Sequence, residues 1–314
     1  MIMDKLRVTL KGSTGALLGL KNPVLTASGT FGYGLEFMPY GDLTSLGGIV
    51  VKGLSLAPRE GNPMPRIAET ACGMLNAIGL QNCGVDAFLR EKLPLLPTDQ
   101  LPVIANLYAT SVSDFAELSG ILAHASGIAA LEVNVSCPNV GEGGVAFGHD
   151  PHMAGAVTAA VKKRSGSLPV MVKLSPNVSD ITAIAKACEA GGADILSCTN
   201  TLVGMAVDLP TRKPLLANVI GGLSGPAIKP VALRCVWQVS RAVSIPVIGI
   251  GGIRSAEDVL EFILAGAHAV QVGTANFTRP DAAFRIVKDL PAAMEKYGIT
   301  SWDAFRGSLQ LDQG

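Results

Sequence analysis

Short apolar runs recur along the chain, each followed by a turn and then by a stretch with helical spacing. They fall at residues 24–27, 48–52, 102–106, 131–135, 170–174, 194–198, 246–250 and 269–273. Most are rich in Val and Ile without strict alternation, which suits strands buried on both faces. The run at 131–135 does alternate, with Leu131, Val133 and Val135 set against Glu132 and Asn134, the period of a strand. Pro138 cannot donate to a strand ladder, so this strand should stop near Cys137. Helical candidates lie between the runs at 113–125, 151–163, 179–190, 227–243 and 256–265. Eight strands alternating with helices predict an α/β fold, a single (β/α)8 TIM barrel forming one domain over residues 1–314. A doubly wound sheet fits less well, because no strand leads into G-x-G-x-x-G.

Two spacings exceed those of a minimal barrel, at 52–102 and 198–246. Insertions after barrel strands land on the C-terminal face, where they can build a lid or a partner surface. Residues 1–22 should form a small hairpin closing the bottom of the barrel.

Composition narrows the function classes. The chain is 48% hydrophobic and only 16% charged, so much of it must be buried. Its 36 glycines and few aromatics suit many tight strand–helix turns. Formal net charge is zero, with no block of lysine and arginine, which argues against nucleic acid or an anionic membrane as the main partner. No stretch of about 18 uninterrupted apolar residues occurs. Residues 1–11 carry charges throughout and lack the apolar core of a signal peptide. The cytoplasm is the expected compartment. The cysteines at 72, 83, 137, 188, 198 and 235 contain no C-x-x-C pair, hence no ready zinc or iron–sulfur cage.

The chemistry gathers at the strand ends. Reading along the barrel they are Ser28, Lys52, Asn106, Asn134 with Cys137, Lys173, the trio Thr199, Asn200 and Thr201, then Gly251 and Gly252, and Gly273 with Thr274. Turn chemistry and solvated lysines would explain each one alone. Together on one rim they predict a functional site. Loops after the seventh and eighth barrel strands often hold a phosphate through backbone N–H groups and a helix N-terminus. Gly251 and Gly252 permit that close approach, and Ser255 with Glu257 and Asp258 reads as a helix start. Lys52 and Lys173 suit an anionic or electron-rich ligand, although either could form an aldolase-type Schiff base. Asparagines 76, 106, 134, 139 and 200 favour a planar ring with amide edges. His149 follows a glycine-rich loop, a place for a helix start or lid rather than for a catalytic base.

Five ordered motifs resemble the dihydroorotate dehydrogenase family over nearly the whole chain. They are NVSCPN at 134–139, GNPMPR at 61–66, NAIGLQN at 76–82, Asn200 with Thr201, and Gly251 with Gly252. Cysteine at 137 is similar to class 1, whereas the membrane-associated class 2 uses serine. The stretches GMLNAIG at 73–79, GMAVD at 204–208, GGLSGP at 221–226 and AVQVGTANF at 269–277 resemble the NAD-dependent class 1B catalytic subunit. Cys83 departs from the family pattern, which has proline there.

The resemblance implies FMN on the barrel rim, bound by Ser28, Lys52, Gly53, Asn106, Asn134, Lys173, Thr199 and Gly225. Gly251, Gly252, Gly273 and Thr274 would hold its phosphate, and Lys173 would stabilise negative charge near the flavin N1–O2 edge. It places the orotate ring and carboxylate on Lys52, Asn76, Ala77, Ile78, Gly79, Leu80, Asn134, Asn139, Asn200 and Thr201. Cys137 would remove a proton from C5 of dihydroorotate while hydride passes from C6 to flavin N5, with loop 140–149 as a lid. The chain has neither a dinucleotide fingerprint nor an iron–sulfur cage. That agrees with class 1B, for which the resemblance implies a homodimer flanked by two subunits carrying FAD and a [2Fe–2S] cluster, which pass electrons to NAD. Alternatives are a fumarate-dependent class 1A enzyme, a dihydropyrimidine dehydrogenase-like flavin subunit, a lysine-dependent aldolase, and a non-catalytic flavin module.

Overall fold

The computed structural model describes residues 3–136 and 147–311. All eight anticipated runs are strands: β1 (Val24–Thr26), β2 (Gly48–Val50), β3 (Val103–Leu107), β4 (Ile128–Asn134), β5 (Val170–Leu174), β6 (Ile195–Cys198), β7 (Val247–Ile250) and β8 (Ala269–Val272). They pair in parallel, each with its chain neighbours, and β8 closes on β1 to complete a barrel. Both faces of β1, β2, β3, β5, β6, β7 and β8 are buried, which is why those runs lack alternation.

Helices α1 (Val112–Ala123), α2 (Pro151–Arg164), α3 (Ile181–Ala190), α4 (Lys229–Ser240) and α5 (Ala256–Leu264) follow β3 to β7. Side chains cap the N-termini of four of them. Ser111, Asp150, Asp180 and Ser255 each accept a first-turn backbone N–H, and Ser255 with Asp258 closes a full capping box. A sixth helix, α6 (Ala282–Lys296), packs against β1 and covers the closing seam. After β1 and β2 the chain makes only short helical pieces, among them Leu35–Tyr40 and Val85–Ala87.

The expected N-terminal hairpin is present, pairing Val8–Lys11 with Leu17–Leu20. Its turn is fastened to the bottom of the barrel. Asp194, fully buried just before β6, accepts from Thr14 Oγ1 at 2.5 Å, from Lys162 Nζ at 2.5 Å and from the Val170 N–H at 2.8 Å. The two long insertions meet in space. Ile67–Thr70 and Gly73–Asn76 from the first pair with Ile220–Ser224 and Leu202–Met205 from the second, making one antiparallel sheet. Among the described residues no helix is long and apolar enough to cross a membrane.

Candidate active site

One cavity collects the C-terminal ends of the barrel strands. Ser28, Lys52 and Gly53 line it beyond β1 and β2, Asn106, Asn134 and Lys173 at the ends of β3, β4 and β5, and Thr199, Asn200 and Thr201 beyond β6. Gly251, Gly252, Gly273 and Thr274 complete the circle after β7 and β8. The insertion sheet forms the upper wall through Ile67, Met74, Asn76 and Ser224, beside Ile78, Gly79, Leu80 and Gly225. Ala77 is the exception among the described candidates. It is buried in a small apolar cluster with Leu75 and Leu216, away from the cavity. Cys137, Asn139 and most of the proposed lid loop lie outside the described residues. His149 is exposed and ends a short turn, Phe147–His149, immediately before the Asp150 cap of α2. That is a helix-start position.

The polar lining is pre-set by hydrogen bonds. Asn134 Oδ1 accepts from Ser136 Oγ at 2.9 Å and from Asn200 Nδ2 at 3.4 Å, and Asn200 Nδ2 also reaches Ser136 Oγ at 2.7 Å. Asn200 Oδ1 accepts the Thr201 N–H at 2.8 Å. Asn177 then ties this corner to the insertion sheet by donating to the Thr201 carbonyl and accepting from the Val203 N–H, both at 2.9 Å.

Two buried residues of the cavity wall stand out. Lys173 is 6% exposed and lines the cavity. Asn106 Oδ1 is buried without a partner, while its Nδ2 donates to Glu132 at 2.7 Å. Buried polar groups are normally satisfied, so the unpartnered Asn106 acceptor, on the same cavity as the Lys173 ammonium, points to a bound molecule that donates to the one and accepts from the other. Glu132 was not anticipated as functional. Its signal was a charged residue on the inward phase of an alternating barrel strand.

The glycine-rich end has the backbone that only glycine adopts readily. Gly225, Gly251 and Gly252 have φ of 93°, 136° and 73°. A Cβ on Gly252 would stand 2.9 Å from the Gly225 carbonyl oxygen and 2.7 Å from Lys229 Cβ. The N-terminus of α5, by contrast, is spoken for. Asp258 accepts the backbone N–H groups of Arg254 at 2.7 Å and Ser255 at 3.0 Å, and also pairs with Lys229. An anion here would meet the glycine turns and Thr274, which donates to Ser224 Oγ at 2.8 Å, rather than those capped amides.

The loop at 76–84 is stiffened from below. Asn82 Oδ1 accepts the Gly84 N–H at 2.8 Å, and its Nδ2 donates to Ser55 Oγ at 2.8 Å and to the Leu80 carbonyl at 2.9 Å. Leu80 is held at φ 60°. The departure at Cys83 has a structural consequence: its N–H donates to Tyr33 Oη at 3.1 Å, a bond that proline could not make. Among the described residues no three His, Cys, Asp or Glu side chains are grouped to hold a metal ion.

A closed parallel barrel with its polar residues converging at the strand C-termini defines an α/β-barrel protein of the enzyme type. Comparison with known families makes this particular. The dihydroorotate dehydrogenase family model matches residues 11–294, and the chain belongs to that family. It is 72% identical over 292 residues to the "dihydroorotate dehydrogenase B (NAD(+)), catalytic subunit" of Solidesulfovibrio magneticus, covering 93% of this chain and 95% of the relative. The protein of the same description from Maridesulfovibrio salexigens is 67% identical over 294 residues, covering 94% and 96%. That of Pelobacter propionicus is 58% identical over 293 residues, covering 93% and 96%.

Proposed function

We propose that this chain is a single-domain, cytoplasmic catalytic subunit that oxidises dihydroorotate to orotate in pyrimidine synthesis, with FMN as its resident cofactor and NAD as the final acceptor. The observation that carries the flavin reading is the unpartnered Asn106 acceptor on the same cavity as the Lys173 ammonium. Lys173 offers a cation and Asn106 Oδ1 an acceptor to one cavity, and the pyrimidine edge of a flavin presents carbonyls flanking an N–H. The residues fit the group. Ser28, Lys52, Gly53, Asn106, Asn134, Lys173 and Thr199 would hold the ring, and Gly225, Gly251, Gly252, Gly273 and Thr274 the phosphate. When bound, FMN supplies the acceptor for the hydride that leaves C6 of the substrate.

The chain's own residues do the remaining work. Cys137 takes the C5 proton as thiolate; a free thiol has a pKa of about 8.5, so the rate should rise with pH as thiolate forms. Asn76, Asn134, Asn139, Asn200 and Thr201, with Lys52 and the loop from Ile78 through Gly79 to Leu80, orient the substrate ring and its carboxylate, while Ala77 anchors that loop in the apolar cluster below. The network joining Asn134, Ser136 and Asn200 holds these amides before substrate arrives. A partner subunit carrying FAD and a [2Fe–2S] cluster would supply the route onward to NAD, in an assembly of two catalytic and two electron-transfer subunits. Turnover with an artificial acceptor tests the substrate assignment: dihydroorotate should be oxidised and dihydrouracil ignored, and the reverse preference would overturn it.

A further inference from the structure

Glu132 is a fully buried carboxylate inside the barrel and does not itself line the cavity. It is 0% exposed at the inward phase of β4, and three strands send it donors. Asn106 Nδ2 on β3 donates to Oε2 at 2.7 Å, while Ser197 Oγ on β6 and Gln271 Nε2 on β8 donate to Oε1 at 2.8 and 2.7 Å. A carboxylate only accepts, so it dictates which end of the Asn106 amide turns toward it. The nitrogen is committed to Glu132, and the oxygen is left beside Gly53, where a Cβ would approach it to 2.9 Å. Glycine at 53 keeps that oxygen approachable. Ser197 and Gln271 hold the carboxylate from the far side, so it cannot swing to follow Asn106.

We propose that Glu132 is a positioning residue that lowers the reduction potential of the bound flavin by locking Asn106 with its carbonyl toward the ring. This rests on the flavin reading above. A charge-assisted hydrogen bond at Nδ2 polarises the amide and makes Oδ1 a stronger acceptor. Reduction makes the flavin's pyrimidine edge more electron-rich, which favours facing donors such as Lys173 and disfavours facing acceptors. A polarised acceptor fixed at this edge therefore opposes reduction. A low potential is what a flavin needs to pass electrons onward to NAD.

The test is a spectroelectrochemical titration of the FMN-loaded chain. In Glu132→Gln the amide partner no longer enforces one orientation, and the reduction equilibrium should shift at least tenfold toward reduced flavin, about 30 mV upward for a two-electron couple. Asn106→Ala should raise the potential similarly, and the double variant should move it no further than the larger single change. Additive shifts, or a potential unmoved in Asn106→Ala, would overturn the proposal; the second result stands even if Glu132→Gln does not fold. A native chain that takes up no FMN would instead sink the flavin reading itself.

Discussion

Cys137 and Gly252 carry the sharpest predictions at the level of single residues. A general base contributes roughly 10²–10⁴-fold, so Cys137→Ser should cut turnover by at least about a hundredfold at neutral pH while leaving FMN bound. Full activity in that variant would remove the base assignment. Gly252→Ala must hold an L side chain at φ 73° with its Cβ against the Gly225 carbonyl. The expected outcome is FMN binding weakened at least about tenfold, read by fluorescence titration of the apoprotein, with little change in the affinity of retained flavin sites for substrate. Most of the cavity lining was legible in the sequence because strand C-termini in a barrel share one rim, so identifying the strands identified the residues that line it. Glu132 was not legible as functional. Its role depends on Asn106, Ser197 and Gln271 meeting inside the barrel, at separations that local pattern does not encode.

At the level of elements, the eight barrel strands were readable from their apolar runs, and helix boundaries fell within a few residues of the periodicity. The insertion sheet was not. Gly73–Asn76 and Ile220–Ser224 lie about 150 residues apart and pair only because both insertions leave the same rim. Nor was α6 anticipated, although it covers the β8–β1 side of the barrel. The loop at 76–84 offers a test of how such pieces are held. Its bond from the Cys83 N–H to Tyr33 Oη is a neutral hydrogen bond, of which the net worth is about 1 kcal/mol. Tyr33→Phe should lower stability by that amount, and Cys83→Pro by a similar amount. The substitutions should be less than additive in thermal melts, since both remove one bond; full additivity would mean that the two residues act separately.

Across the whole molecule, the C-terminal rim carries the site and the opposite end holds the barrel together. His268, just before β8, illustrates the second role. Burial, reinforced by the Arg306 guanidinium, pushes its imidazole down from 6.5 to about 4. The folded chain thus holds His268 neutral where the unfolded chain would protonate it. Between pH 6.5 and 4 the unfolded state binds more protons, so stability should fall as pH falls through that window and level off below it. For a partly buried group the loss is on the order of 2 kcal/mol. His268→Gln should flatten the acid limb of a denaturation-midpoint profile; an unchanged limb would assign that limb to other groups.

The reaction proposed for this barrel moves two electrons from dihydroorotate onto a flavin that it holds itself. The direct measurement is an anaerobic visible spectrum of the purified FMN-loaded chain before and after addition of dihydroorotate. The yellow protein should bleach stoichiometrically without any partner subunit, and should reduce NAD only when the partner is supplied. A yellow protein that stays yellow with dihydroorotate would contradict the proposed reaction.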